Sequence, residues 1–131
     1  MATREQVATL RYFRWEEFRH PDLLDYQLLV ALDNIRSGYG FPLVITSDGR
    51  TPEENAAAVG SSPTSLHLSG RAVDFRYPPT AAHLWNLLRT ITEVLRGRAV
   101  ELRLVSSTTD HHIHLGLLPD GQASRLAVAT E

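Results

Sequence analysis

Cysteine and lysine are absent from this 131-residue chain, and methionine occurs once, at position 1. No disulfide framework and no thiolate metal site can form, so any metal must be held by nitrogen and oxygen donors. Long apolar runs are missing as well. Nothing approaches the roughly 18 to 20 residues that span a bilayer, and Met1-Ala2-Thr3-Arg4-Glu5 offers no signal-peptide apolar core. The expectation is a soluble chain, cytoplasmic at synthesis, with no membrane insertion. There is no excess of positive charge either: thirteen basic residues, all arginine, stand against fifteen acidic ones, a net charge of −2. That balance gives no electrostatic case for nucleic acid as a partner. Arginine without lysine is read as base-composition bias and not as a selected surface.

What is present is ordinary for one globular domain, here residues 1–131: 43% hydrophobic and 21% charged residues, at a length that supports a single core. Pro21 is placed in the first turn of a helix carrying Leu24, Leu28, Leu32 and Ile35, stopped by Gly38 and Gly40. Residues 42–47 predict a strand ended by Asp48-Gly49. Thr51-Pro52-Glu53-Glu54 predicts a capped short helix to about Ala58. A loop rich in small and polar residues, 59–69, leads to a strand over 72–77. Thr80 caps the longest helix, with Leu84, Leu87, Leu88, Ile91, Val94 and Leu95 as its apolar stripe. Strands over 100–105 and 112–118 flank a polar turn, Gly116 is expected to mark a bulge, and 126–129 is expected as an edge strand. This order predicts an α+β fold: a small, mostly antiparallel sheet packed against helices, with the site on the sheet.

The chemistry concentrates in two segments, Ser65-Leu66-His67-Leu68-Ser69-Gly70-Arg71-Ala72-Val73-Asp74 and Asp110-His111-His112-Ile113-His114. His67, Asp74 and His114 suit an open site of two histidines and one carboxylate, whose fourth position is left to a water with pKa lowered to about 7. Strand alternation puts His112 and His114 on one side and His111 on the other. Asp110 shares the parity of His112 and could orient it or take a proton. Gly70 permits a backbone turn and Ala72 leaves room beside the metal. His20 and His83 are read as ordinary surface or core histidines, and Ser65 as either a loop hydroxyl or a site residue.

Ser65, His67, Gly70, Ala72 and Asp74, followed by His112 and His114, resemble the signature of the zinc D-Ala-D-Ala carboxypeptidase family, relatives of lysostaphin and the murein endopeptidases. The segment from Ile45 to Asn55 resembles the family's strand, arginine turn and short helix, so the likeness covers about Phe13 to Leu118. It implies Zn2+ held by His67, Asp74 and His114, with Arg50 facing the substrate and binding a carboxylate or the developing oxyanion. Several relatives carry an acidic base where this chain has His111. Those with a His-x-His motif use its first histidine, which points to His112 with Asp110 beside it, and Glu101 matches a position where some relatives carry a functional acid. The resemblance implies hydrolysis of a peptide bond in peptidoglycan stem peptides, by a D,D-carboxypeptidase or an endopeptidase of the endolysin type. The alternative is a catalytically degenerate zinc module that binds peptidoglycan or a protein partner. A monomer acting at the bacterial cell wall is expected.

Overall fold

Asp25 starts the principal helix: its carboxylate accepts the backbone N–H of Gln27 at 2.8 Å and so satisfies one of the orphan donors of the first turn. In the computed structural model, which describes residues 1–58 and 65–130, the helices are α1 (Arg4–Val7), α2 (Tyr26–Tyr39), α3 (Pro52–Ala57) and α4 (Ala81–Val94). The strands are β1 (Ile45–Ser47), β2 (Ala72–Arg76), β3 (Val100–Ser106), β4 (His111–Leu117) and β5 (Arg125–Thr130). The architecture is the α+β arrangement anticipated. The predicted loop over 59–69 lies partly outside the described residues.

Two expected boundaries of α2 move. Pro21–Leu23 form a single 3-10 turn and Leu24 is extended (φ −88°, ψ 144°), so the proline precedes the helix instead of opening it. Gly38 does not stop the helix but lies within it, where a Cβ would meet Thr90 Cγ2 at 2.8 Å. Its bare backbone lets α4 approach, and Gly40, left-handed at φ +84°, makes the stop. α1 was not foreseen. Thr3 and Gln6 cap it reciprocally, with bonds of 3.1 and 2.9 Å, the same box that Thr51 and Glu54 form at α3.

The sheet runs β1-β2-β4-β3-β5, antiparallel except for the parallel pairing of β3 with β5. Alternation sorts its faces. Val73, Phe75, Ile113, Leu115 and Leu117 are fully buried on the face that packs on α2 and α4, in one core with Leu28, Leu32, Ile35 and Leu87. Asp74, His112 and His114 point the other way, and the register sets Asp74 beside His114 and Arg76 beside His112.

The bulge expected at Gly116 does not form, because this residue pairs regularly with Ala72 on one side and Glu101 on the other. The register shifts instead between Ile45 and Ser47, where β1 meets β2. A Cβ at position 116 would meet Leu66 Cδ1 at 2.6 Å. Glycine there lets the segment that carries His67 lie down on the sheet. Gly70 closes the same segment in a left-handed conformation (φ +70°), against which a Cβ would strike the Leu23 carbonyl.

Candidate metal centre

His67 enters the site from a turn, not from a strand, so its orientation has to be imposed by hydrogen bonds. Ser65 Oγ accepts the His67 backbone N–H at 3.2 Å, and the His67 carbonyl accepts the Arg50 N–H at 3.0 Å. The ring is fixed by Nδ1, which lies 2.7 Å from the Asp48 carbonyl oxygen. A carbonyl only accepts, so the Nδ1 position carries the proton and Nε2 presents its lone pair to the site. That lone pair faces Asp74 Oδ1 at 3.2 Å. Two acceptors at that separation call for a cation between them, a proton or a metal.

Asp74 is the hub. Its Oδ1 also lies 2.9 Å from His114 Nδ1, and its Oδ2 is 3.9 Å from His112 Nε2. Burial alone pushes this carboxyl up, but with a proton on His114 Nδ1 and on His67 Nε2 the hydrogen bonds and charges of those rings outweigh it and hold Asp74 well below the usual carboxylate range. His114 answers in the opposite direction. Burial pulls it down, yet Asp74 on one ring nitrogen and Glu101 on the other raise it above an ordinary histidine.

Candidate ligand atoms of His67, Asp74 and His114 all lie within 4.8 Å of one another. Tetrahedral zinc with bonds of about 2.0 to 2.1 Å separates its ligand atoms by about 3.3 Å, close to the 3.2 and 2.9 Å seen from Asp74 Oδ1. The donor set therefore fits zinc: two imidazoles and a carboxylate, without a fourth protein ligand from Glu101, whose Oε1 sits 2.7 Å from the far nitrogen of His114. Each imidazole also has an acceptor behind it, the arrangement that fixes tautomers in zinc sites.

The other anticipated residues fall around this triad. His112 Nδ1 lies 2.7 Å from Asp110 Oδ1, which leaves Nε2 facing the site. Arg50 lines the same groove, with Ser65, Arg103 and Arg125. Its guanidinium reaches Asn55 Oδ1 at 3.3 Å, while Glu54, a rival partner for it, is taken by Arg19 at 3.2 Å and by His20 at 3.0 Å. His111 stacks on Tyr77 (centroids 5.1 Å, 20° between planes) and meets Ser106 Oγ at 2.8 Å. His83 meets the capping Thr80 Oγ1 at 2.6 Å. Both are satisfied locally.

The part played by Asp48 was not foreseen. Asp48, 5% exposed, accepts the backbone N–H groups of Arg19 and His20 on its carboxylate at 2.8 and 2.9 Å, while its own carbonyl receives His67. An Asp-Gly pair after a strand reads as a turn, and nothing in that signal shows the carboxylate turned inward.

A turn and two adjacent strands thus bring two histidines and an aspartate together as a group that could hold one metal ion. The model of the peptidase M15 family matches residues 8–115, and the chain belongs to that family, one of zinc-dependent metallopeptidases. A comparison with curated proteins finds no match. Among the described residues no helix is long and apolar enough to cross a membrane.

Proposed function

We propose that this protein hydrolyses a peptide bond in bacterial peptidoglycan stem peptides, as a zinc-dependent D,D-carboxypeptidase or an endopeptidase of the endolysin type. The observation that carries the reading is the Asp110 and His112 pair set beside the triad, with His112 Nε2 facing Asp74. When bound by His67, Asp74 and His114, zinc supplies Lewis acidity toward the scissile carbonyl and makes water acidic enough to attack near neutral pH. His112 Nε2 handles the proton, taking it during attack and returning it to the leaving amine. Asp110 keeps the Nδ1–H tautomer in place and steadies the imidazolium that forms.

Glu101, a third candidate for the proton, has one carboxylate oxygen at His114 and the other 3.1 Å from Arg125, which favours His112 for that task. Arg50 holds a substrate carboxylate or the developing oxyanion through its planar donor fork. Ser65 serves from beneath, by capping the turn of His67. The assembled Asp110 and His112 pair also weighs against a degenerate module that only binds peptidoglycan. In the working state a monomer acts at the cell wall.

Zinc content and product release from purified peptidoglycan, followed by mass spectrometry, test the proposal. The parent protein should bind one zinc and release peptide fragments, and His114→Ala should lose both. Activity retained without metal would sink the reading, and zinc binding without any cleavage would favour the binding module.

A further inference from the structure

The two nitrogens of an imidazole diverge, so a ring that gives one to a metal must spend the other on something behind it. For His67 that partner is a main-chain carbonyl. For His114 it is a carboxylate, and the carboxylate is itself held. Glu101 Oε1 lies 2.7 Å from His114 Nε2, and Glu101 Oε2 lies 3.1 Å from the Arg125 guanidinium. The register explains how three strands meet here. Glu101 of β3 pairs with Arg125 of β5 on one side and with Gly116 of β4 on the other, while His114 is its diagonal neighbour two residues along β4. Opposite Glu101 the glycine projects no side chain, and the carboxylate leans across to the histidine.

We propose that Glu101 and Arg125 are positioning residues for the metal centre: β5 brings Arg125 to one oxygen of Glu101, and the other oxygen fixes His114 as a metal ligand through its Nε2–H. Arg125 lies beyond the family match, which ends at residue 115. The C-terminal strand thereby becomes part of the metal site, although it supplies no ligand. Glu101 is the larger contributor, since its side chain is 23% exposed whereas that of Arg125 is 62% exposed and screened by solvent. A carboxylate behind the ring also makes His114 a more basic donor than a carbonyl would.

The inference rests on the metal assignment of the preceding section and not on the substrate. Zinc affinity of the full chain, read by competition with a chromophoric chelator, therefore tests it without any activity assay. The visible spectrum of the cobalt(II)-loaded protein reports whether ligand geometry shifts. Glu101→Gln should weaken zinc binding roughly 10- to 100-fold, the usual effect of removing such a partner, and alter the cobalt spectrum. Arg125→Gln should weaken it a few-fold at low salt, Arg125→Lys should recover most of that, and Arg125→Gln should add nothing in a Glu101→Gln background. Parental zinc affinity in Glu101→Gln, or full additivity of the two changes, overturns the proposal. Glu101→Gln with parental affinity but no turnover would make Glu101 a proton carrier instead. If His114→Ala binds zinc as the parent does, the metal assignment itself has failed, and the positioning role with it.

Discussion

The two faces of the sheet are built from the same strands and do opposite things. On one face Val73, Phe75, Ile113 and Leu115 are fully buried against α2 and α4. On the other, Asp74, Glu101, His112 and His114 are polar: the Asp74 and Glu101 carboxylates meet the two ring nitrogens of His114, and Asp110, just before the strand, meets His112. The apolar face needs only shape and volume, and its burial supplies the stability. The polar face gains little from burial and relies on partners, because each charge withdrawn from water has to be met by another. Adjacent residues of β4 should therefore fail in different ways when they are truncated.

His112 and Ile113 are the sharpest pair with which to break that contrast. His112→Ala should lower kcat about 10²- to 10⁴-fold, the range for loss of a general acid or base, while zinc content and unfolding midpoint stay near parental. Ile113, 0% exposed, is the reverse: Ile113→Ala should cost about 2 to 5 kcal/mol of stability in denaturant unfolding, with zinc retained by the folded fraction. Equal loss of metal in His112→Ala would make this residue a ligand and end the division of roles between the two β4 histidines. A smaller effect is expected where the faces meet, at Gly116. Gly116→Ala pushes a methyl against Leu66, so about 1 to 3 kcal/mol of overpacking strain is expected, together with weaker zinc binding as the turn of His67 lifts. Unchanged zinc affinity with full strain would show that the turn yields without moving His67.

The contrast also explains how much was legible beforehand. Strand parity comes from covalent geometry, so the common face of His112 and His114 and the opposite placement of His111 followed directly from their numbers. The α2 and α4 stripes were legible for the same reason. Gly116 and Gly38 were misread because a glycine in an element looks like a defect until its neighbour is known, Leu66 in one case and Thr90 in the other. Asp48 and Arg125 escaped notice because their partners are remote: Asp48 lies nineteen residues from His67, and Arg125 lies twenty-four from Glu101. Local patterns show which face a residue takes, and tertiary contact decides what it meets there.

The smallest expected effect concerns a carboxylate away from the metal. Glu54 accepts the backbone N–H of Thr51 at 3.0 Å and faces His20, and these contacts hold its carboxyl down at about 2, against an ordinary 4.5. A depressed folded value means that its stabilising contribution is complete above about pH 4.5 and is lost as the pH falls toward about 2. Metal-free protein is the right material, since zinc would leave its histidine ligands in this range anyway. Asp74 is lowered as well and titrates in parent and variant alike, so the difference between them isolates Glu54. The midpoint of thermal unfolding for the parent should fall more steeply between pH 4.5 and 2 than that of Glu54→Gln. The two curves should converge at the acid end, where Glu54 is protonated. Parallel curves across that window would mean that the cap at Thr51 is held by the helix itself and that Glu54 only decorates it.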